Sequence, residues 1–336
     1  MITNNGDGHM LLQKINYTWR VFATGLGFSI FGLGGLIFLV TVFPFVRNTK
    51  TARKLIRLAF KFFIELISYM GIISYELHNG EKLNRNGLLI LANHPSLIDT
   101  VLLMAFVKDA DCIVKSSLQQ NMFTRGPVRA AGYICNNNEV DLIDDCLKSL
   151  QTGSNLTIFP EGTRTTLNAP LSFKRGAANI ALRAHKNITP VVIRCIPKVY
   201  LSKGEKWWKV PPTKARFTID VKDDIDIQAF TSARQLTLYL QDYFMNDTQG
   251  LQQLETEVKD IIITTLQLED ITVHDIDTHA ALFGDGLGLD SIDALELGVA
   301  LQKRYGISLL ANSEETRAHF ASVHALASMI DNFRKP

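Results

Sequence analysis

One histidine and one aspartate, five residues apart, have the types and spacing for acid–base chemistry. His94 follows the short apolar run Leu88–Leu91, and Pro95 can end an extended segment and begin a helix at its first turn. Asp99 would then fall in the second turn, from where its carboxylate can reach back to the imidazole. Such a carboxylate fixes the tautomer, so that the other ring nitrogen can accept a proton from a hydroxyl. Histidines in this setting also occur as capping or loop residues, so the interpretation depends on the other motifs.

A second group of polar residues follows another apolar run and reads Phe159-Pro160-Glu161-Gly162-Thr163-Arg164. Gly162 would allow the backbone to approach a ligand closely, and Arg164 offers a planar fork suited to phosphate. Glu161 could orient that arginine or bind an acceptor. Lys174 lies in a basic turn that opens a further predicted helix, and helix N-termini with neighbouring Lys and Arg attract anions.

These ordered motifs resemble the glycerolipid acyltransferase family, which includes the 1-acylglycerol-3-phosphate acyltransferases. The matching segments are Asn93-His94-Pro95-Ser96-Leu97-Ile98-Asp99, Phe159-Pro160-Glu161-Gly162-Thr163-Arg164, Phe173-Lys174-Arg175-Gly176 and Thr189-Pro190-Val191. The resemblance covers about residues 75–225 and implies that His94 is the general base and Asp99 its partner. It also implies an acceptor site formed by Glu161, Gly162, Thr163, Arg164 and Lys174.

The stretch Gly132–Asn138 departs from the family pattern. In that family an arginine usually follows a strand of the Gly-x-Ile type and helps to hold the acceptor phosphate, whereas this stretch contains no arginine. Arg125 or Arg129 could substitute. The acceptor could therefore bear a phosphate, as in a lysophospholipid, or lack one, as in a specialised lipid or polyene pathway.

The segment Phe283–Leu297 contains a serine that could be modified. Three glycines precede Asp290-Ser291, and an amphipathic helix is predicted from Ser291. By residue type alone, Ser291 would be the N-cap of that helix. The string Gly-Leu-Asp-Ser-Ile-Asp-x-Leu-Glu-Leu nevertheless resembles the attachment signature of acyl carrier proteins, and this resemblance covers about residues 246–334.

The carrier resemblance implies a 4′-phosphopantetheine cofactor, joined covalently to Ser291 by a phosphopantetheinyl transferase. Its thiol would carry acyl groups as thioesters, supplied by acyl-loading enzymes. Asp290, Asp293 and Glu296 recur every three residues on one face of the predicted helix. We expect this acidic face to dock on basic partners, including the acyltransferase domain.

The charge-free segment Val21–Val46 predicts a membrane anchor. It contains 26 residues, and about 20 span a hydrocarbon core. A signal peptide is disfavoured because Phe43–Arg47 is a poor cleavage site. The anchor could be one span or a re-entrant hairpin bent at Gly32, Gly34 and Gly35. Basic residues concentrate after the segment, which predicts an inner-membrane protein whose catalytic and carrier domains lie on the cytoplasmic side.

Five apolar runs alternate with helical patterns and predict an α/β domain. The runs are Leu88–Leu91, Cys112–Val114, Leu156–Phe159, Pro190–Ile196 and Phe217–Val221, with helices near 96–107, 140–151, 175–186 and 231–244. An amphipathic helix with a basic stripe is predicted at 51–76, and it would lie in the headgroup region or pack as a core helix. The predicted organisation is a tail, anchor and amphipathic helix at 1–76, an acyltransferase domain at 77–244, a linker at 245–250 and a small all-α, four-helix carrier domain at 251–336.

Charge is distributed unevenly along the chain. The total is +2, but residues 245–336 hold 15 acidic and 6 basic residues, a net charge of −9, which leaves +11 on residues 1–244. The basic part could bind nucleic acid, but the long apolar segment favours an anionic membrane instead, and no nucleic-acid partner is predicted. Cys112, Cys135, Cys146 and Cys195 show no paired spacing, so neither a disulfide framework nor a zinc site is predicted.

The combined motifs predict a membrane-associated O-acyltransferase. It would move an acyl group from a thioester donor, which could be its own carrier domain, to a hydroxyl of a lysophospholipid-like acceptor, without a metal. The donor could also be acyl-CoA or a separate carrier protein. A membrane-tethered carrier module with a non-catalytic acyltransferase fold is the other alternative. A hydrolase is disfavoured because the chain has no Gly-x-Ser-x-Gly motif.

Overall fold

The computed structural model describes most of the chain. The described residues are 5–42, 45–121, 124–136, 139–166, 169, 171–197, 200–206, 209–211, 214–284, 286–307 and 319–334. The chain divides into two compact units, residues 1–244 and residues 245–336.

One seven-stranded sheet organises the first unit. Its strands are β1 (Ile73–His78), β2 (Leu89–Ala92), β3 (Ala110–Val114), β4 (Ile134–Cys135), β5 (Asn155–Ile158), β6 (Ile188–Ile196) and β7 (Ala215–Val221). Their order across the sheet is β1-β7-β6-β2-β5-β3-β4. Only β6 and β7 pair antiparallel, so β2 lies between two parallel neighbours, β5 and β6. All five apolar runs predicted as strands are strands in the structure.

Residues of β2 alternate between two apolar cores. Leu89 and Leu91 belong to one cluster of buried residues, whereas Ile90 and Ala92 belong to the other. A strand turns successive side chains to opposite faces, so both faces of this sheet are covered. This explains why the strands appear in the sequence as continuous apolar runs.

Helices flank the sheet in the order expected of crossover connections. They are α1 (Asn5–Thr41), α2 (Thr49–Tyr69), α3 (Asp99–Phe106), α4 (Ser116–Gln120), α5 (Arg125–Ala131), α6 (Glu139–Gln151), α7 (Gly176–Ala184) and α8 (Ala233–Thr265). The helices predicted near 96–107, 140–151 and 175–186 are present as α3, α6 and α7.

The predicted N-terminal anchor segment is helical in the described residues. Helix α1 continues through Gly32, Gly34 and Gly35 without interruption, so the prediction of a re-entrant hairpin at these glycines is wrong. Each glycine costs a helix only about 1 kcal/mol, which an otherwise apolar helix tolerates. Its segment Asn16–Ile37 is long and apolar enough to cross a membrane.

The helix predicted at 51–76 is wrong at its C-terminal end. α2 ends at Tyr69, and residues 73–78 form the edge strand β1. Gly71 has a φ of 75°, in the left-handed region that commonly follows a helix C-terminus. The residues after this glycine, Ile72 and Ile73, are apolar like those of α2, so composition alone did not mark the end of the helix.

The two faces of α2 differ in their surroundings. Its buried face includes Ile56, Phe63 and Ile64, which join the cores of the first unit. Its opposite face exposes Leu58 and Phe62. The core-helix alternative therefore accounts for one face, while an apolar surface remains on the other.

The second unit is helical in its described part. It contains the end of α8, then α9 (Ser291–Tyr305) and α10 (Val323–Arg334), around a core that includes Leu254, Val258 and Leu297. Residues 246–250 are helical, so the prediction of a non-helical linker there is wrong in conformation. Residues 308–318, where a further carrier helix would fall, lie outside the described residues.

Candidate active site

The sheet brings the two predicted catalytic segments together. β2 pairs in parallel with β5, with Leu91 opposite Ile158. His94 follows the end of β2 and Glu161 follows the end of β5. Carboxyl ends of parallel strands meet at one edge of the sheet, where α/β proteins place their ligands.

The imidazole of His94 is bonded to Asp99 as the sequence predicts. Nδ1 of His94 lies 2.9 Å from Oδ2 of Asp99, whose side chain is completely buried. Ser96 completes the cage, because its backbone N–H donates to Oδ2 and its hydroxyl donates to Oδ1, both at 2.6 Å. Burial raises the pKa of Asp99, and the bonds from His94 and Ser96 oppose that shift. A carboxylate held in this way fixes the imidazole with Nε2 as the atom available for proton transfer.

Phe159 supports the imidazole from one side. The two rings stack with centroids 4.4 Å apart and an angle of 29° between their planes. The His94 side chain is still 17% exposed. The ring is therefore held by Asp99 and Phe159 but remains open to a substrate.

The side chain of Glu161 is hydrogen-bonded to the loop that contains His94, and not to Arg164 as the sequence suggested. Its Oε1 accepts the backbone N–H of His94 at 2.9 Å and the hydroxyl of Thr165 at 2.9 Å. The Thr165 backbone N–H in turn donates to the His94 carbonyl at 2.7 Å. Burial raises the pKa of Glu161, and the bonds from His94 and Thr165 oppose that effect. The structure thus favours a positioning role over the predicted contact with the arginine.

Arg164 fastens a neighbouring loop. One guanidinium nitrogen, Nη1, donates to the carbonyls of Leu201 and Ser202 at 2.9 and 3.0 Å. The Leu201 carbonyl also accepts the backbone N–H of Leu97 at 3.1 Å. Part of the fork that the sequence assigns to an acceptor phosphate is therefore engaged in holding the loop after β6 against the start of α3.

Gly162 and Lys174 form the exposed side of this edge. Gly162 has a φ of 66°, and a Cβ there would lie 2.9 Å from Cε and 3.0 Å from Nζ of Lys174. The Lys174 backbone N–H donates to the Pro160 carbonyl at 2.8 Å, which fixes the start of its turn. The left-handed backbone angle favours a glycine here, and any side chain at this position would displace the end of the lysine that crosses it. Thr163 between these segments is half-buried.

Several positioning residues were not assigned roles from the sequence. Asn93 exchanges two hydrogen bonds of 2.7 Å with the backbone of Ile193, which extends the pairing of β2 with β6. Ser96 and Thr165 act through Asp99 and Glu161. Asn93 and Ser96 belong to the motif that contains His94 and Asp99. Their hydrogen bonds depend on strand β6 and on the turn before α3, and the spacing of residues in the sequence does not reveal these contacts.

Among the described residues, neither candidate substitute for the absent arginine contacts the His94 group. Arg125 and Arg129, the two candidates, are exposed on α5, and neither makes a hydrogen bond with the described residues of the His94 group. Residues Asn137 and Asn138 of the divergent stretch lie outside the described residues.

Ser291 lies at the start of α9, but it is not the cap of that helix. Asp290 is the N-cap: its Oδ1 accepts the backbone N–H groups of Ile292 and Asp293 at 2.7 and 3.0 Å. Asp293 completes a capping box by accepting the Asp290 N–H at 2.8 Å. The Ser291 side chain is exposed and makes no hydrogen bond with a described residue.

Two family models match the chain in this arrangement. Residues 74–194 match the acyltransferase model, and residues 256–311 match the model of the phosphopantetheine attachment site. The fold and the site thus define an acyltransferase domain joined to an acyl carrier domain, as predicted.

Curated relatives give the family. A Caenorhabditis elegans protein named as the 1-acyl-sn-glycerol-3-phosphate acyltransferase acl-1 is 30% identical over 242 residues, which are 68% of this chain and 85% of that protein. The Helicobacter pylori 1-acyl-sn-glycerol-3-phosphate acyltransferase is 34% identical over 128 residues, 36% of this chain and 54% of that protein. The chain belongs to the 1-acyl-sn-glycerol-3-phosphate acyltransferase family.

A solved structure confirms the fold class. The crystal structure of the 1-acyl-sn-glycerophosphate acyltransferase PlsC from Thermotoga maritima superimposes with a TM-score of 0.58 at 22% identity. The match covers 71% of this chain and 98% of that one. The part of this chain that the match does not cover is similar in length to the second unit.

Proposed function

We propose that the chain transfers an acyl group from a thioester to a hydroxyl of a lysophospholipid-like acceptor, with His94 as general base. The observation that carries this proposal is the bond between His94 Nδ1 and the buried carboxylate of Asp99. It leaves Nε2 as the base at the edge of the sheet where the motifs converge.

The proposed reaction needs one proton transfer and one displacement. Nε2 of His94 takes the proton of the acceptor hydroxyl as the oxygen attacks the thioester carbonyl. The tetrahedral intermediate collapses with cleavage of the carbon–sulfur bond, and the thiolate leaves. The imidazolium, stabilised by Asp99, then returns its proton to the thiolate. A thiol is a good leaving group because its pKa is about 8.5.

The acceptor site is proposed to lie at Gly162, Thr163, Arg164 and Lys174. Lys174 is exposed and crosses Gly162 next to the His94 loop, so its ammonium could pair with an acceptor phosphate. Arg164 would supply the guanidinium nitrogens not used on the Leu201 loop. The family of this chain favours an acceptor that bears a phosphate. Because the arginine expected near Ile134 is absent, an acceptor without a phosphate should be tested in parallel.

The test of this reaction compares acceptors and variants in lipid vesicles. Lysophosphatidate and monoacylglycerol are offered with acyl-CoA, and the products are measured by mass spectrometry. We expect His94→Ala to lower the rate by at least about 10³-fold with either acceptor, whereas Asp145→Asn on exposed α6 leaves it unchanged. If His94→Ala forms product at the wild-type rate, His94 is not the general base. If neither protein forms product, the fold is a non-catalytic anchor for the carrier.

The donor is proposed to be the chain's own carrier unit. Its phosphopantetheine attachment match, together with an exposed Ser291 hydroxyl at the start of α9, supports attachment of 4′-phosphopantetheine to that residue. A phosphopantetheinyl transferase would install it and an acyl-loading enzyme would charge it. Residues 246–250, which were predicted as the linker between the two units, are helical.

Delivery within one chain can be separated from delivery between chains by complementation. His94→Ala keeps the carrier and Ser291→Ala keeps the catalytic site. With delivery in cis, the rate of acyl transfer per wild-type molecule is independent of protein concentration. A mixture of the two variants must transfer between chains, so its rate is low and increases with protein concentration. If Ser291→Ala transfers acyl groups normally from the same loading system, the donor is acyl-CoA or a separate carrier.

The site of action is proposed to be the cytoplasmic face of the inner membrane. α1 contains a candidate span and exposes Phe22, Leu33 and Ile37. The basic residues after it support placement of both units on the cytoplasmic side. These residues are Arg47, Lys50, Arg53, Lys54 and Arg57. Arg53 is buried in the fold, so the orientation rests on the other four.

A further inference from the structure

Three potential metal ligands converge inside the carrier unit, apart from Ser291. They are Glu255 of α8, His279 of the loop between α8 and α9, and His324 of α10. Glu255 and His324 are buried, and His279 is half-buried. One ligand atom from each residue lies within 4.8 Å of the other two. Charged groups are rarely buried unless they are paired with one another or bind a metal ion, so the group is a candidate metal site.

The contacts within this group already orient its side chains. Nδ1 of His324 lies 2.7 Å from Oε1 of Glu255. The rings of His279 and His324 lie with centroids 4.5 Å apart. Nε2 of His324 is 3.5 Å from the hydroxyl of Ser328. A histidine that binds a metal through one nitrogen commonly uses the other for such an outer hydrogen bond.

Two imidazoles and one carboxylate form a ligand set typical of zinc. Zn²⁺ binds histidine nitrogen at about 2.0–2.1 Å and carboxylate oxygen at about 2.0–2.2 Å in tetrahedral geometry, which places ligand atoms about 3.3 Å apart. Small side-chain rotations would bring the present atoms to that spacing. Mg²⁺ and Ca²⁺ prefer all-oxygen sites, so two imidazoles disfavour them.

We propose that Glu255, His279 and His324 bind one Zn²⁺ ion in the carrier unit, with solvent in the fourth position. The ion would replace the hydrogen bond between His324 and Glu255 by two metal bonds and recruit His279 as the third ligand. Both histidines bind as neutral imidazoles, and the carboxylate binds as its anion.

A bound zinc ion would restrain the segment that connects α8 to α9. His279 lies in the segment between Thr265 and Ser291, and the backbone N–H of His324 already donates to the Thr278 carbonyl at 2.8 Å. Zinc would fasten this segment to α8 and α10 at one point. Because the same segment leads to Ser291, the ion would limit the mobility of the approach to the modification site.

The experiment is zinc titration of the full-length, untagged protein in detergent after treatment with a chelator. We expect one more zinc ion per chain in wild type than in His279→Ala or in Glu255→Gln, measured by equilibrium dialysis and elemental analysis. At a free zinc concentration of about 100 times the Kd, the apparent melting temperature of the carrier unit should rise by about 10 °C. His274→Ala, which removes an exposed histidine of the same loop, is the matched control and should behave as wild type.

The result that overturns the proposal is equal zinc stoichiometry in wild type, His279→Ala and Glu255→Gln. Glu255→Gln keeps the size and the hydrogen-bonding capacity of the side chain, and circular dichroism checks that it is folded. Zinc bound elsewhere, for example at exposed histidines, would survive both substitutions and would not raise the melting temperature selectively. X-ray absorption spectroscopy of the zinc-bound protein should detect two histidine imidazole ligands per zinc ion.

Discussion

Asp99 is the residue on which the proposed chemistry depends most directly. It is fully buried, and its two oxygens accept three bonds, from His94, from the Ser96 N–H and from the Ser96 hydroxyl. A buried carboxylate without partners would be neutralised. Ser96 therefore helps to keep the charge that stabilises the imidazolium, although it would touch no substrate.

Replacement of Asp99 by Asn tests this residue. An amide can hold the imidazole in the wrong tautomer, so we expect kcat to fall by about 10³–10⁴-fold with little change in KM. Ser96→Ala keeps the carboxylate and the backbone bond, and should cost much less. Steady-state kinetics in vesicles measure both variants. A kcat for Asp99→Asn within tenfold of wild type would contradict the assigned role.

Gly162 and Lys174 give a second test at the same scale. Gly162→Ala strains a left-handed backbone by roughly 1–2 kcal/mol and also displaces the Lys174 side chain. Gly153→Ala is the matched control, because Gly153 has a φ of 84° but no atom within 4 Å of the added methyl. Both variants should lose similar stability to urea. Only Gly162→Ala, like Lys174→Met, should raise KM for lysophosphatidate severalfold, and equal KM values in the two glycine variants would remove Lys174 from the acceptor site.

The sequence identified the residues of the candidate site better than it identified the contacts between them. His94 with Asp99 was recognisable because both partners lie on one short strand-to-helix turn. The partner of Glu161 was not, since the His94 backbone reaches it only through the pairing of β2 with β5. At α9 the sequence predicted Ser291 as the N-cap, whereas the backbone geometry identifies Asp290 as the cap.

At the scale of elements, Arg53 joins α2 to the amino-terminal ends of two strands. Its Nη2 lies 2.7 Å from Oδ2 of Asp111 in β3, and its Nη1 donates to the Ser154 hydroxyl before β5 at 2.8 Å. Its Nε donates to the carbonyl of Ala131 at the end of α5 at 2.9 Å. The network lies at the opposite end of these strands from His94, so its contribution is to stability.

Arg53→Met should destabilise the first unit by about 3–5 kcal/mol, because it leaves Asp111 buried without its counter-ion. Burial raises the pKa of Asp111, and Arg53 opposes that shift. Without Arg53 the folded-state pKa rises further, so stability is lost as the pH rises through it and the penalty should shrink from about pH 8 to about pH 5. Urea unfolding at both pH values measures this. Lys54→Met, an exposed neighbour, should change stability by less than about 0.5 kcal/mol, and a pH-independent penalty for Arg53→Met would contradict the explanation.

Two element boundaries could not be predicted from local patterns. Apolar residues continue from α2 into β1, and the boundary between them is marked by Gly71 and by the pairing of residues 73–78 with β7. Polar residues 246–250 resemble a linker in composition, yet they lie in the helix α8. In both cases tertiary context overrides a weak local preference.

At the scale of the molecule, the exposed apolar side chains of the N-terminal helices set the proposed location. Trp19, Phe22 and Leu33 of α1 are exposed, as is Phe62 of α2. Ala23 of α1 is buried in the main core, and Arg20 donates to the Ile72 carbonyl at 3.1 Å. The helix that would enter the membrane is therefore also part of the folded first unit.

Charges placed on this surface should weaken membrane binding without unfolding the protein. Phe22 and Leu33 are each 61% exposed, so Phe22→Asp with Leu33→Asp removes apolar contact with lipid and adds two charges that are costly in a bilayer. We expect the fraction bound in liposome flotation to fall at least tenfold. Leu238→Asp, at an exposed leucine of α8, is the control, and equal flotation of both proteins would show that α1 is not the anchor.

The order of strands and the meeting of distant segments were beyond sequence patterns. The α/β class followed from the alternation of apolar runs, but the order β1-β7-β6-β2-β5-β3-β4 depends on long-range pairing. The Glu255, His279 and His324 group joins residues 69 positions apart along the chain and has no spacing that indicates a metal. Such convergence requires the packed helices of the carrier unit.

The division of tasks between Asp290 and Ser291 has a consequence for the conversion of apo to holo protein. Because the side chains of Asp290 and Asp293 form the cap of the helix, and Ser291 makes no hydrogen bond with a described residue, esterification of the Ser291 hydroxyl removes no structural bond. The phosphodiester would add a negative charge in the first turn, where the positive end of the helix dipole favours it. The carrier can therefore be primed after it has folded, and the holo form should be no less stable than its precursor.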